Sequence, residues 1–226
     1  MVRTALHASR AVPRRLIALP ALAAAGLLAT ACGSSAPAET ANTATAPAQT
    51  ATSNAHPLAS GDIRSASGEE RGRVEIATSG GEIRVEARGL EPGFHGLHLH
   101  SVGKCEANSP DPADTSKTGD FLSAGGHLAG SGPAHPAHAG DLPPLLIGAD
   151  GTGTLTTSTD RLTNELVLDG DGTALIIHEK PDNFANIPTR YASGGADDET
   201  KKAGDAGSRI ACAVLTAPGD SSPTTS

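Results

Sequence analysis

The chain has no Trp, one Met, one Tyr and three Phe, so aromatic residues make up only 2% of its 226 positions. Helical bundles rarely have that composition. With 27 Gly and 16 Pro, the balance fits a turn-rich β protein whose core is built from Val, Leu and Ile. Basic residues are also in deficit: 17 Lys and Arg stand against 25 Asp and Glu, for a formal charge of −8. No Lys/Arg stripe is present, which argues against nucleic acid as a partner. The acidity itself reads as solubility. Cysteine is scarce, with only Cys32, Cys105 and Cys212. The length allows one domain of ordinary size with tails.

What the sequence does have at its start is a processing segment. Arg3, Arg10, Arg14 and Arg15 form a positive leader, and residues 16–31 are apolar without a charge. That run suits a signal-peptide core and is short for a spanning helix, although a retained anchor is the alternative. It ends in Leu28-Ala29-Thr30-Ala31-Cys32, small residues leading to a Cys, as in a bacterial lipoprotein signal cleaved before a lipidated Cys32. The expected location is therefore outside the cell, with the chain anchored to the outer face of the membrane through Cys32. Arg14-Arg15 leaves export by the general or the twin-arginine route open. Lipidation of Cys32 leaves Cys105 and Cys212, which in an oxidising compartment form a disulfide or remain two thiols.

Residues 32–56 follow as a linker of Ala, Thr, Ser, Pro, Asn and Gln, and residues 217–226 form a similar tail. Neither carries enough apolar surface to offset the entropy of ordering, so both are expected to be disordered. The folded domain is expected at 57–216. Inside it the hydrophobic period is two. Val74 and Ile76, then Ile83, Val85 and Ala87, alternate with polar neighbours around Ser79-Gly80-Gly81, which predicts a hairpin. Leu97 and Leu99 alternate with His98 and His100, and residues 174–177 and 210–215 read as further strands. Two Gly-, Pro- and Asp-rich stretches, 103–144 and 179–208, do not alternate, and loops that long are usually functional. The fold class is all-β, a sandwich or flattened barrel with two long loops.

Seven of the nine His fall between positions 95 and 178. His98 and His100 are two apart on a strand, so both imidazoles face one side. Neutral imidazole is the commonest metal ligand in proteins, and an all-nitrogen set suits copper. The pair sits among apolar strand residues, with more His in Gly-rich loops, which favours a metal site without naming the reaction.

Five ordered motifs go further. They are Gly93-Phe94-His95-Gly96-Leu97-His98-Leu99-His100 with Cys105; Gly125-Gly126-His127; His138-Ala139-Gly140-Asp141-Leu142; Ile176-Ile177-His178-Glu179-Lys180-Pro181-Asp182; and Gly204-Asp205-Ala206-Gly207-Ser208-Arg209-Ile210-Ala211-Cys212. Together the set resembles the Cu,Zn superoxide dismutase family, of the exported bacterial lipoprotein type. The resemblance implies an eight-stranded Greek-key barrel. It implies copper held by His98, His100, His127 and His178, and zinc held by His127, His135, His138 and Asp141, with His127 as the bridge. Asp182 would link a copper His to a zinc His. Arg209 would attract and orient superoxide, and His127 would serve in catalysis beside it. Cys105 and Cys212 would form a disulfide pinning the first long loop. His95, by contrast, is expected to hold loops together by hydrogen bonds and not to bind metal.

The sequence departs from that family in two places. His135 and His138 are separated by two residues where relatives usually have eight, so zinc is expected to bind, but under strain. In the second loop Glu199-Thr200-Lys201-Lys202 resembles a charged guidance stretch, but Ala203 follows where Thr is common, and extra residues stand between Asp182 and Glu199. The function implied is disproportionation of superoxide to oxygen and hydrogen peroxide, protecting the cell exterior. A copper-carrying module of the same fold is the rival. Exposed strand faces would allow a homodimer.

Overall fold

A computed structural model describes residues 57–77 and 81–220 of the protein. The expected signal segment, Cys32 and linker lie outside the described residues, as do positions 221–226 of the expected tail. Among the described residues the chain forms eleven strands: β1 (Pro57–Arg64), β2 (Glu70–Ala77), β3 (Glu82–Arg88), β4 (Gly93–His95), β5 (Leu97–His100), β6 (Ser109–Asp111), β7 (Asp114–Gly119), β8 (Leu145–Ile147), β9 (Thr152–Ser158), β10 (Thr173–His178) and β11 (Arg209–Leu215). Two one-turn helices, α1 (Asn164–Val167) and α2 (Thr200–Ala203), lie in connections.

Seven strands form one sheet in the order β5-β10-β11-β1-β2-β3-β9, and β4 pairs with β8. β4 and β5 are two halves of one strand interrupted at Gly96. Counted so, and with the β6–β7 hairpin assigned to the first long loop, eight strands make the barrel. The first and last strands lie side by side, and β3 pairs with β9 and β10 with β5, both far away in sequence. This is an all-β Greek-key arrangement.

The sequence pattern explains which way each strand faces. In β2 and β3, Val74, Ile76, Ile83, Val85 and Ala87 are buried while Arg73, Arg84, Glu86 and Arg88 face water. The pairing Val74↔Val85 and Ile76↔Ile83 sets their register, and a one-residue slip would turn every apolar side chain outward. β5 and β10 behave differently, because every residue in both is buried. Leu97, Leu99, Leu175 and Ile177 enter the main core. Ala174 and Ile176 face the other way, into a smaller cluster with Phe121, Ala124 and Cys212. The outer faces of β5 and β10 are thus covered by the long loops. That is why His98, His100 and His178 can lie on the barrel exterior and still be out of water.

The covering loop is stitched to β5 by its backbone. Leu128 N–H donates to Leu99 O (2.8 Å), Leu99 N–H to Gly140 O (2.9 Å) and Ser101 N–H to Gly126 O (3.0 Å). His100 and His127, and His98 and Asp141, therefore face each other as isolated bridge partners. Cys105 and Cys212 are disulfide-bonded with Cα atoms 5.6 Å apart, inside the smaller cluster.

Candidate metal centre

His98, His100, His127 and His178 each bring a ring nitrogen within 4.8 Å of those of the other three. Each ring also carries one buried nitrogen without a hydrogen-bond partner: Nδ1 of His98 and Nε2 of His100, His127 and His178. Unpartnered buried polar atoms are costly, and four of them converging is the arrangement a first-row metal satisfies with bonds of about 2 Å.

The second nitrogen of each ring explains why the first is free. His100 Nδ1 donates to Gly125 O (2.8 Å), His178 Nδ1 to Gly207 O (3.1 Å) and His98 Nε2 to Asp182 Oδ2 (2.9 Å). Each such bond fixes the tautomer and leaves the lone pair of the other nitrogen aimed into the cluster. Electrostatics favour the same state. Burial pushes the His100 and His178 imidazoles well below their ordinary range, helped at His100 by Arg209 and at His178 by His98. Burial likewise lowers His127 to about 4, against the pull of its hydrogen bond to Asp141. Neutral imidazoles are the form a metal needs.

A second group adjoins the first. His98, His127, His135 and Asp141 offer ligand atoms within 4.8 Å of one another. Asp141 Oδ1 lies 2.7 Å from His127 Nδ1 and 3.0 Å from His135 Nδ1. Asp182 Oδ1 accepts from His135 Nε2 (2.9 Å), so the two oxygens of Asp182 tie His135 to His98. Although burial opposes it, hydrogen bonds from His127 and His135 hold the Asp141 carboxyl well below the usual carboxylate range. His135 and His98 do the same for Asp182. Burial works against protonation of His135 as well, but the two carboxylates outweigh it and raise its pKa to about 9. His138 stands beside this group, with Nδ1 3.3 Å from Asp141 Oδ2, and outside the tightly converged four. The shortened link thus brings His135 inward fully and His138 to the edge.

Arg209 donates from Nη2 to Gly125 O (2.7 Å) and from Nη1 to Phe121 O (2.6 Å). The Gly125 carbonyl therefore holds both His100 and Arg209, and fixes the guanidinium beside the four-His cluster. Burial lowers the Arg209 pKa from its usual value, and Asp111 partly offsets this. His95 bonds Glu91 O (2.9 Å) and His178 O (2.7 Å) through its two nitrogens and joins neither metal group. In the second loop Lys202 pairs with Glu199 at 2.6 Å, and Arg190 lies over the Tyr191 ring.

Residues 70–215 match the family Copper/zinc superoxide dismutase (SODC). The chain belongs to the Cu,Zn superoxide dismutase family. Among curated relatives, "Superoxide dismutase [Cu-Zn]" of Mycolicibacterium paratuberculosis is 50% identical over 139 residues, covering 59% of this chain and 61% of that one. The Mycobacterium tuberculosis protein of the same name is 44% identical over 151 residues, covering 63% and 62%. The matched region thus spans about three fifths of these relatives. Among solved structures, a SOD-like protein from Bacillus subtilis matches at 30% identity and a TM-score of 0.53, over 70% of this chain and 97% of that one. The Cu/Zn superoxide dismutase of Brucella abortus matches at 28% and 0.53, over 70% and 98%. The family is a copper and zinc one; the first group fits copper by its four unpartnered nitrogens, and the second fits zinc by its imidazole and carboxylate donors.

Several contacts at the site could not be read from the sequence. Phe121 supplies a carbonyl to Arg209, and Phe184 stacks on His135 with an 8° interplanar angle and 6.3 Å between centroids. Gly204 has φ +58°, and a Cβ built there would lie 1.8 Å from Asp182 Oδ1 and 2.7 Å from His135 Nε2. Gly204→Ala is therefore expected to break the His135–Asp182 bond and to cost roughly 1–3 kcal/mol from the left-handed backbone and the clash together. Asn tolerates that φ but not the contact, so Gly204→Asn should fare no better. Thermal unfolding of both variants checks this; full stability in either contradicts it.

Proposed function

We propose that the protein is a copper-dependent superoxide dismutase that converts two superoxide anions and two protons to oxygen and hydrogen peroxide. The observation that carries this reading is the convergence of four buried, unpartnered imidazole nitrogens beside a fixed guanidinium. Copper held by His98, His100, His127 and His178 would supply the one-electron couple that disproportionation needs. The protein's part is positional. Gly125, Gly207 and Asp182 hold three of the imidazoles in the ligating tautomer. Arg209 presents its cation beside them, where it attracts and orients the substrate anion. His127 lies in both groups, and its Nε2 is placed to hold a proton when that nitrogen is free. A carrier of copper would gain nothing from a half-buried Arg209 fixed by two carbonyls. Assay of superoxide disappearance with copper-loaded protein tests the reading: turnover that cyanide abolishes is expected, and tightly bound copper without turnover would identify a carrier.

Zinc completes the proposal, held by His127, His135 and Asp141 with His138 closing the set. We expect it to bind more weakly than in relatives with a longer loop, because the two-residue His135–His138 link leaves little slack for tetrahedral ligands to converge. Metal analysis after equal copper and zinc loading should find about one zinc per chain. Copper alone with full activity would place His135 and His138 in a structural role.

The same reading extends to location. The charged leader, the apolar run and Cys32 support export and lipid attachment to the outer membrane face, and an oxidising exterior suits the Cys105–Cys212 bond. Mass spectrometry of the cell-derived protein should find a lipid on an N-terminal Cys32; a free Met1 would contradict it. A homodimer is also proposed, on the exposed cross-strand pair Phe94 and Leu146, each 53% exposed. A monomer at micromolar concentration in sedimentation would contradict this.

A further inference from the structure

The turn that carries His135, His138 and Asp141 is short, and its own hydrogen bonds are few: Ala137 N–H to Ala134 O (2.7 Å), Asp141 N–H to His138 O (3.3 Å) and His138 N–H to Asp141 Oδ2 (2.8 Å). A segment this brief gains little from internal packing to offset the entropy of ordering. Support from outside comes from backbone bonds to Leu99, Leu128, Ala129 and Lys201, and from the side chain of Arg161, which belongs to neither long loop. Arg161 lies between β9 and α1, across an open cleft of about 890 Å³ that is also lined by Pro136, Asp141 and Phe184. Its Nη1 donates to Pro136 O (3.3 Å) and its Nη2 to Asp141 O (3.3 Å). The two acceptors bracket the turn: one follows His135 directly, and the other is the backbone of the carboxylate that contacts His127, His135 and His138.

The base of Arg161 is anchored to the barrel. Its N–H donates to Thr159 Oγ1 (3.2 Å), Thr159 N–H bonds Gly81 O (3.2 Å), and the next residue, Leu162, packs against the main core. We propose that Arg161 is a positioning residue for the zinc-side ligands, its planar fork clamping both ends of residues 136–141 to the barrel. This rests on the zinc reading above. The clamp acts through backbone carbonyls, so it sets where the Asp141 carboxylate and the His138 ring stand before any ion arrives. Partners of this kind around metal ligands typically change affinity by about 10–100-fold when removed. Two-point recognition needs the guanidinium. Gln at this position is shorter and carries both its N–H donors on a single nitrogen, so it does not reproduce the span of the two guanidinium nitrogens.

The test uses the metal-free protein with its disulfide intact and cobalt(II) as the probe, followed by its absorption bands and by chelator competition. Arg161→Ala should weaken cobalt binding by about 10–100-fold, and Arg161→Gln by less. Copper affinity at the four-His group and the unfolding temperature of the metal-free chain should stay at wild-type values. Without any metal, the amides of residues 137–141 should exchange hydrogen faster in both variants. Arg84→Ala, which breaks an exposed pair with Glu86 on β3, serves as the control and should change none of these. Cobalt affinity and amide exchange unchanged in Arg161→Ala would overturn the proposal alone. So would equal losses at both metal groups together with a lower unfolding temperature. A wild-type chain that takes up no cobalt would overturn the zinc reading and the proposal with it.

Discussion

Arg209→Glu should lower the rate of superoxide dismutation by roughly 10–1,000-fold while copper stays bound, the range over which electrostatic steering changes on-rates. The wild-type guanidinium is fixed by the Phe121 and Gly125 carbonyls next to His100, in a half-buried place open to the approaching anion and to salt. The full chain carries −8, and the form cleaved before Cys32, without the four leader arginines, carries −12, so attraction of an anion has to be local. Salt separates the two fields. Raising ionic strength through 0.1 M, where the screening length is about 10 Å, should slow the wild type and speed the Glu variant, because an attraction is screened in one and a repulsion in the other. Arg209→Lys keeps the charge and loses the fork, so it should keep most of the salt dependence with a smaller loss of rate. Stopped-flow rates at several salt concentrations, with bound copper measured on the same samples, check this. A rate that ignores both salt and charge reversal would show that Arg209 does not steer.

Removing the disulfide should have the largest effect on stability. The bond joins residues 107 apart, and loss of a native bridge of this kind typically costs about 2–5 kcal/mol. The location adds to this. Cys212 is buried with Phe121, Ala124, Ala174 and Ile176, so the bond holds the first long loop onto the outer faces of β10 and β11. Phe121 is in that cluster and its carbonyl holds Arg209, so loosening the loop should also disturb the substrate-facing cation. Cys105→Ser is expected to lower unfolding free energy by that amount in denaturant titration of the metal-free protein, and to reduce turnover in the copper-loaded protein. A change below about 1 kcal/mol, within the ordinary range for surface substitutions, would mean that the loop is held by packing alone.

The parts of this structure that were legible in the sequence are those where chemistry or burial leaves a period. β2 and β3 show themselves by alternation because one face is wet, and β5 by His alternating with Leu. β10 shows itself as a short apolar run because both its faces are covered. The β6–β7 hairpin left no signal: its residues are mostly exposed polar ones, so no apolar side exists to repeat. β9 likewise offers only Leu155 among Thr, Gly and Ser. At the site, the copper histidines, Asp182 and Arg209 stood in ordered motifs. Their supports were less legible: Gly125, Gly204 and Gly207 stand in the motifs and Phe121 does not, but in either case a backbone carbonyl carries no sign of what it will bond. Gly204 is demanded by a contact with Asp182 that exists only in three dimensions, and Arg161 occupies an unremarkable Thr-Asp-Arg stretch.

Four converging imidazoles that hold copper should make turnover of superoxide follow the filling of that one site. Adding copper stepwise to metal-free protein, while following dismutase activity on each aliquot, tests it most directly. Activity should rise in proportion to copper and stop at about one equivalent per chain, the capacity of a single four-ligand site. The same titration of His100→Ala should give no comparable rise. Activity that is absent at one bound copper, or that climbs equally in His100→Ala, would show that these imidazoles are not the site of turnover.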